Sequence, residues 1–275
     1  MRDLLISLNF DAWALPALLI IPLVGAMITR FVGHAIPPED EDGGGGLDWR
    51  DPHVLALATF AVEVLVAIGV YIAFDPTAAG WQLVVDYAWI PDWGARFTVA
   101  VDGISLFMVL LTVFVMPLSI LGSWTQVRTR ANTYYALLLA LTTGIIGVFV
   151  AIDLLLFYIF WEMMLVPMYF IIGIFGGERR IRASLKYFVF TFLGSLLMLV
   201  GVLFVWIGGG STSFHYDHLL DSTSFSMATQ LWLFGAFFLA FAVKSPIFPL
   251  HTWLPDAQHE APTSGAVALG IKVAT

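Results

Sequence analysis

The chain has no cysteine, which excludes disulfides, thiolate metal sites and iron–sulfur ligation by its own side chains. Charge is scarce as well. Asp, Glu, Lys and Arg together make up 12% of its 275 residues, against about 25% in an ordinary soluble domain. It has no basic patch and its pI is near 5.0, so nucleic acid is not expected as a partner. Redox, nucleotide and hydrolase motifs are missing: no G-x-S-x-G elbow occurs, and the glycines at 43–46 are not followed by Gly-Lys-Ser/Thr. The acidic run Glu39, Asp40, Glu41 and Asp42 lacks the closing glutamate of a calcium loop. His251 and His259 have no third partner and no HExxH spacing, so no metal site is expected. Covalent chemistry by this chain alone is not expected.

What the chain has is oil. Hydrophobic residues make up 60% of it and its mean hydropathy is +0.90, the composition of an integral membrane protein. A spanning helix needs about 20 apolar residues. Seven such segments are expected, near 12–33, 54–74, 102–124, 133–152, 154–176, 185–209 and 228–250. An eighth begins near Pro262 and runs fourteen residues to Thr275, roughly 21 Å of helix. The expectation is therefore a chain truncated in helix eight. The first eleven residues, MRDLLISLNFD, carry no basic n-region and no small-residue cleavage site, so segment one is expected to be a retained anchor.

Basic residues orient the bundle. Arg30, Arg50, Arg128, Arg130, Arg179, Arg180, Arg182 and Lys186 lie in or beside the odd-numbered loops, eight of the twelve basic residues in the chain. Positive charge marks the inner face, so odd loops face in and the amino terminus faces out. The first loop, 38–48, is acidic and glycine-rich and is expected to be solvated. Glycines 176–177 and 208–210 are expected to end their helices.

Against this background, two charges inside oily segments stand out: Glu162 in the fifth and Lys244 in the seventh. An ionised group near a bilayer centre costs about 2.5–3.5 kcal/mol on insertion scales and marks proton or ion pathways. Glu162 lies nine residues past Asp153, roughly 13.5 Å into the segment. Pro167 removes a hydrogen bond from the Met163 carbonyl and is expected to bend the helix. Pro246 and Pro249 follow Lys244, so the seventh segment should break just past the lysine, leaving the Ala242 and Ser245 carbonyls without helical partners. Broken helices at membrane depth line protein or wet cavities and mark transport sites. A buried lysine there can release its proton when its charge partner moves. Lys186, near the start of the sixth segment, either snorkels or takes part. His251 falls two helical turns beyond Lys244 and so on nearly the same face, where it could relay protons or simply sit at the interface. Glu63 is buried in the second segment by the same criterion and ranks below these.

The stretches WEMMLVPMYFIIGIFGG (161–177) and KSPIFPLHTWLPDAQHEAPTSG (244–265), with VDGISLFMVLLT (101–112) and KYFVFT (186–191), resemble the antiporter-like membrane subunits of respiratory complex I. The resemblance runs from about residue 80 to 265. Trp161-Glu162 followed by LVPMY is similar to the branch called subunit M in bacteria and subunit 4 in mitochondria and chloroplasts. It implies an all-α, polytopic transmembrane bundle of two inverted five-helix repeats, each with a broken helix. Residues 1–132 would form helices one to three, and 133–275 helices four to eight of the first proton-translocating repeat. The resemblance casts Glu162 as the helix-five glutamate facing a neighbouring subunit and Lys244 as the broken-helix lysine. It casts Lys186 as the lysine opening helix six, His251 as a connection towards the central axis, and Lys272 as the helix-eight lysine.

This chain departs from the pattern in three places. Family chains are about twice as long, so this is expected to be the amino-terminal half. Gln258 stands where the family has histidine, with His259 next to it. Lys272 lies three residues closer to Gly265 than its counterpart, an offset of about 300° around a helix. The function implied is proton translocation within an NADH-quinone oxidoreductase. NADH, FMN, iron–sulfur clusters and quinone would be held by partner subunits, with no cofactor here. Implied partners are the lipid bilayer and other complex I membrane subunits, including neighbouring antiporter-like ones, and the implied location is the bacterial inner membrane rather than an organellar one. The alternative is a component of a cation/proton antiporter or membrane-bound hydrogenase without NADH oxidation.

Overall fold

The computed structural model of the chain describes residues 7–33, 48–222 and 224–274. Residues 38–47 of the acidic loop, and Arg2, lie outside the described residues. Among the described residues, seven helices are long and apolar enough to cross a membrane. They begin with α1 (Phe10–Phe31) and α2 (Pro52–Ala73), followed by α3 (Gly103–Ser123) and α4 (Ala131–Val150). The fifth span is two helices, α5 (Leu154–Met163) and α6 (Leu165–Phe175); α7 (Arg180–Gly208), a short α8 (Tyr216–Ser222) and α9 (Met227–Lys244) come next. The chain then turns through a short 3₁₀ segment at Leu250–Thr252 into α10 (Trp253–Glu260) and α11 (Thr263–Ala274). The ends fall within a few residues of the hydropathy limits, except that α9 stops at Lys244 and not at 250.

Local chemistry explains the boundaries. Asp102 caps α3: its carboxylate accepts the Ile104 and Ser105 N–H groups, and the Ser105 hydroxyl accepts the Asp102 N–H. Asp153 caps α5 by accepting from Leu155 and Leu156 at 3.0 Å. Gly176 follows the last residue of α6, and α7 ends at Gly208, as the glycine runs at 176–177 and 208–210 imply.

The all-α class holds with one addition that hydropathy did not reveal. Strands β1 (Gln82–Ile90) and β2 (Ala95–Val101) form an antiparallel hairpin between α2 and α3, with Asp86 opposite Thr98 and Tyr87 opposite Phe97. Pro91 opens its turn and Gly94 closes it at φ +69. A Cβ on Gly94 would stand 1.8 Å from the Thr212 carbonyl oxygen, so only glycine fits. Arg96 forks onto Asp86 at 2.7 and 2.8 Å, while Thr98 donates to the same carboxylate. The Arg96 guanidinium therefore holds the Asp86 carboxyl below its ordinary range. The hairpin also fixes the start of α5, because the Arg96 N–H donates to the buried Asp153 carboxylate at 2.9 Å. Asp153 is fully buried, and that burial pushes its carboxyl above the ordinary range.

Helix α4 is the centre of the bundle, burying Tyr134, Leu138, Leu139, Leu141, Ile145 and Ile146. Two glycines let α5 lie against it. A Cβ on Gly147 would meet the Phe160 ring at 2.2 Å, and one on Gly144 would meet the Met164 side chain at 2.7 Å. This close approach occurs where the fifth span breaks.

Candidate functional site

Both breaks in the membrane helices lie beside a charge. In the fifth span the helix is interrupted at Met164, three residues before Pro167, and Glu162 sits in the last turn before the interruption. The expected bend is therefore a break between two short helices. In the seventh span α9 ends on Lys244 itself. Pro246 has no N–H for the Ala242 carbonyl, and that carbonyl is repaired locally by the Ile247 N–H at 2.9 Å. Ile247 is thereby taken from Val243, whose carbonyl accepts the Trp253 indole N–H at 2.9 Å instead. The broken backbone is satisfied by a residue from the far side of the break, which pins α10 to the end of α9.

The Lys244 side chain is 4% exposed. Its Nζ lies 4.0 Å from the centre of the Trp161 ring, a cation–π contact with the residue next to Glu162. Glu162 is partly exposed; Ser195 of α7, whose hydroxyl donates to the Phe192 carbonyl at 2.8 Å, lies near it, and Lys244 and Lys272 are its cationic neighbours. Its Oε1 is buried without a hydrogen-bond partner among the described residues. Lys272 is 1% exposed, and its ammonium donates to the Tyr187 hydroxyl and lies 4.2 Å from that ring's centre. Tyr187 packs against Trp253 with ring centres 5.5 Å apart. Four helices thus supply one buried cluster: α5 with Trp161 and Glu162, α9 with Lys244, α11 with Lys272, and α7 with Tyr187 and Ser195. The sequence offset of Lys272 does not remove it from this group.

Two of the residues singled out in the sequence fall elsewhere. Lys186 lies outside the cluster. Its Nζ donates to the Thr252 carbonyl at 2.6 Å and to the Asp256 carboxylate at 2.8 Å. That ammonium holds the Asp256 carboxyl below its ordinary range. Lys186 thus clamps the segment that follows the break onto α7. The same-face argument for His251 fails because it assumed a continuous helix. The chain leaves helical geometry after Lys244, and His251 lies in the 3₁₀ turn with Phe248 5.6 Å from its ring and its Nδ1 buried without a partner among the described residues. Among the described residues, no group of His, Cys, Asp and Glu could hold a metal ion. Tyr187, Ser195 and Trp161 were missed in the sequence, although Tyr187 and Trp161 lie inside the motif stretches; a polar residue among apolar ones was the available signal for Ser195.

Comparison with known proteins follows the same residues. Residues 151–275 match the family model described as NADH:quinone oxidoreductase/Mrp antiporter, TM. NADH-quinone oxidoreductase subunit M of Rhodobacter capsulatus is 42% identical over 259 residues, covering 90% of this chain and 48% of the relative. NADH-ubiquinone oxidoreductase chain 4 of Arabidopsis thaliana is 37% identical over 256 residues, covering 93% and 49%. Among solved structures, a chain of respiratory complex I from Thermus thermophilus with bound NADH superposes with a TM-score of 0.78 at 29% identity, over 94% of this chain and 50% of that one. A chain of the Mrp complex from Dietzia shares the fold with a TM-score of 0.73 at 18% identity. The chain spans about half the length of the curated relatives it matches.

Proposed function

This chain belongs to the family of antiporter-like membrane subunits of NADH-quinone oxidoreductase, and on that premise we propose that it moves protons through Glu162, Lys244 and Lys272. The supporting observation is the convergence of these titratable groups from α5, α9 and α11 on a buried site where two membrane helices break. Neither Glu162 nor Lys244 forms a contact ion pair among the described residues, so each is free to change its charge. When Glu162 takes a proton, the anion that attracts the Lys244 ammonium disappears. The lysine then holds its own proton less tightly, because an uncompensated ammonium in a low-dielectric site is costly. Lys272 accepts the next charge through the Tyr187 hydroxyl, and His251 offers a route onward from the break.

Lys186 acts as a positioning residue in this scheme, setting the α10 segment through Thr252 and Asp256. Residues 133–275 form the translocating part and 1–132 its amino-terminal layer. The exposed side of Glu162 faces a neighbouring antiporter-like subunit. NADH, FMN, iron–sulfur clusters and quinone belong to partner subunits, consistent with a chain that has no cysteine. The assembly sits in a bacterial inner membrane, and the complex as a whole is the enzyme, a translocase. The likeness to the Mrp complex is one of fold, and the relatives quoted above by sequence are NADH-quinone or NADH-ubiquinone oxidoreductase subunits.

The test is Lys244→Ala in the assembled complex, with electron transfer and proton release measured together. Loss or a large reduction of pumping per electron is expected. An unchanged proton-to-electron ratio refutes the role of Lys244.

A further inference from the structure

Outside this cluster, unpartnered buried polar atoms concentrate in one other place. Thr29 Oγ1, both ring nitrogens of His53 and both carboxyl oxygens of Glu63 are buried and lack hydrogen-bond partners among the described residues. All belong to α1 and α2. Thr29 and Glu63 are 0% exposed and His53 is 5% exposed. On α2, His53, Ala56, Phe60, Glu63, Ala67 and Val70 are buried at alternating spacings of three and four, so His53 and Glu63 share one face.

Contacts at three glycines set the register of the antiparallel pair. Gly33 lies against Pro52, Gly25 against Thr59 and Gly69 against Phe10. Thr29 therefore falls between His53 and Thr59 in level, and Glu63 falls one turn beyond the Gly25–Thr59 contact, near Leu19 and Pro22. Thr29 is unusual. Thr59, Thr112 and Thr142 each donate back to the carbonyl four residues earlier at 2.8–2.9 Å, the ordinary habit of a helical threonine. Pro22 has no N–H, so the Leu18 carbonyl lacks its helical donor at the level of Glu63. From α4, Thr143 donates to the neighbouring Leu19 carbonyl at 3.3 Å.

We propose that the α1–α2 contact holds a second proton-binding site, Glu63, reached from the inner face by a hydrated line through His53 and Thr29. The line starts at the inner face, because Arg30 and Arg50 flank this end of the helices. It runs ten residues along α2, roughly 15 Å, and stops at the acceptor that Pro22 leaves open. Buried water needs two to four polar partners, and these atoms provide them in sequence. At its entrance His53 faces Asp51 at 3.9 Å, the Trp124 ring at 3.9 Å and the Tyr135 ring at 6.2 Å. No charged group of the described residues faces Glu63. The ligand is a proton carried by water, held on Glu63 as a neutral acid.

The test is infrared spectroscopy of the intact complex carrying the full chain, comparing wild type with Glu63→Gln and following transfer into deuterated buffer. A carboxylic acid C=O band lost in Glu63→Gln and shifting in deuterium is expected. In His53→Leu that shift should no longer occur within the wild-type exchange time; Thr29→Val provides the same reading if His53→Leu does not fold. The proposal is overturned if no acid band is lost in Glu63→Gln, if the band never shifts in wild type, or if both entrance variants exchange at the wild-type rate. None of these readouts depends on pumping, so they stand whatever Lys244→Ala shows.

Discussion

Glu63 and Glu162 lie at similar depths, eleven residues after Pro52 and nine after Asp153, yet their surroundings differ in kind. Glu63 sits in an unbroken helix with no charged neighbour among the described residues. Glu162 sits two residues before Met164, where its helix is interrupted, with lysines from two other helices near it. A lone acid between continuous helices can take up a proton and return it along the same line, but it has no neighbouring charge to alter. An acid among lysines at broken backbone can alter its neighbours' charge by altering its own. In a low-dielectric site, exchange depends on the neighbours more than on depth.

The largest effect expected from this contrast is functional. Glu162→Gln should remove most proton pumping from the assembled complex, whereas Glu63→Gln should keep the wild-type proton-to-electron ratio. Equal losses from the two variants would erase the distinction.

Restoring the backbone of the break comes next. In Pro246→Ala with Pro249→Ala, the Ala242 carbonyl regains its helical donor and the Trp253 indole loses its place on Val243. Pumping per electron should fall while electron transfer persists; an unaltered ratio would mean the break is incidental.

Gly94→Ala probes the outer hairpin. The left-handed conformation alone costs roughly 1–2 kcal/mol for a residue with a Cβ, and the 1.8 Å approach to Thr212 adds to it. A lowered thermal midpoint of the purified complex is expected, and wild-type stability would contradict the close approach.

Asp256→Asn should have the smallest effect, within about 0.2–1 kcal/mol for an exposed ion pair, read as faster proteolysis between α9 and α11. The Lys186 ammonium depresses the Asp256 carboxyl, so the clamp is complete above the ordinary aspartate range. It is lost as pH falls through the depressed value. The protease sensitivity of Asp256→Asn and wild type should therefore converge in acid.

Much of this was legible in the sequence, for reasons that are local. Segment lengths follow from hydropathy, and the end of α9 follows from the two prolines after Lys244, because a missing N–H acts where it stands. The start of α5 near Asp153 follows equally from the apolar run that begins there. What could not be read depends on partners distant in sequence. The hairpin is held by Arg96 on Asp86 and Asp153, and its alternation is too short to stand out among apolar segments. For Lys186 the sequence left snorkelling and participation both open, because its partners, Thr252 and Asp256, lie beyond the break. His251 was placed by a helical period that the same break cancels. The interruption at Met164 precedes its proline, and Gly144 and Gly147 of α4, which accommodate it, give no sign of their partner in sequence.

The most direct test of the central claim is Lys244→Arg in the assembled complex. Arginine keeps the positive charge and can stack on Trp161, but it does not give up its proton in a protein. If Lys244 works by releasing a proton, electron transfer should continue while protons pumped per electron fall to the level of Lys244→Ala. A wild-type ratio in Lys244→Arg would show that a fixed charge suffices and would contradict proton release from this site.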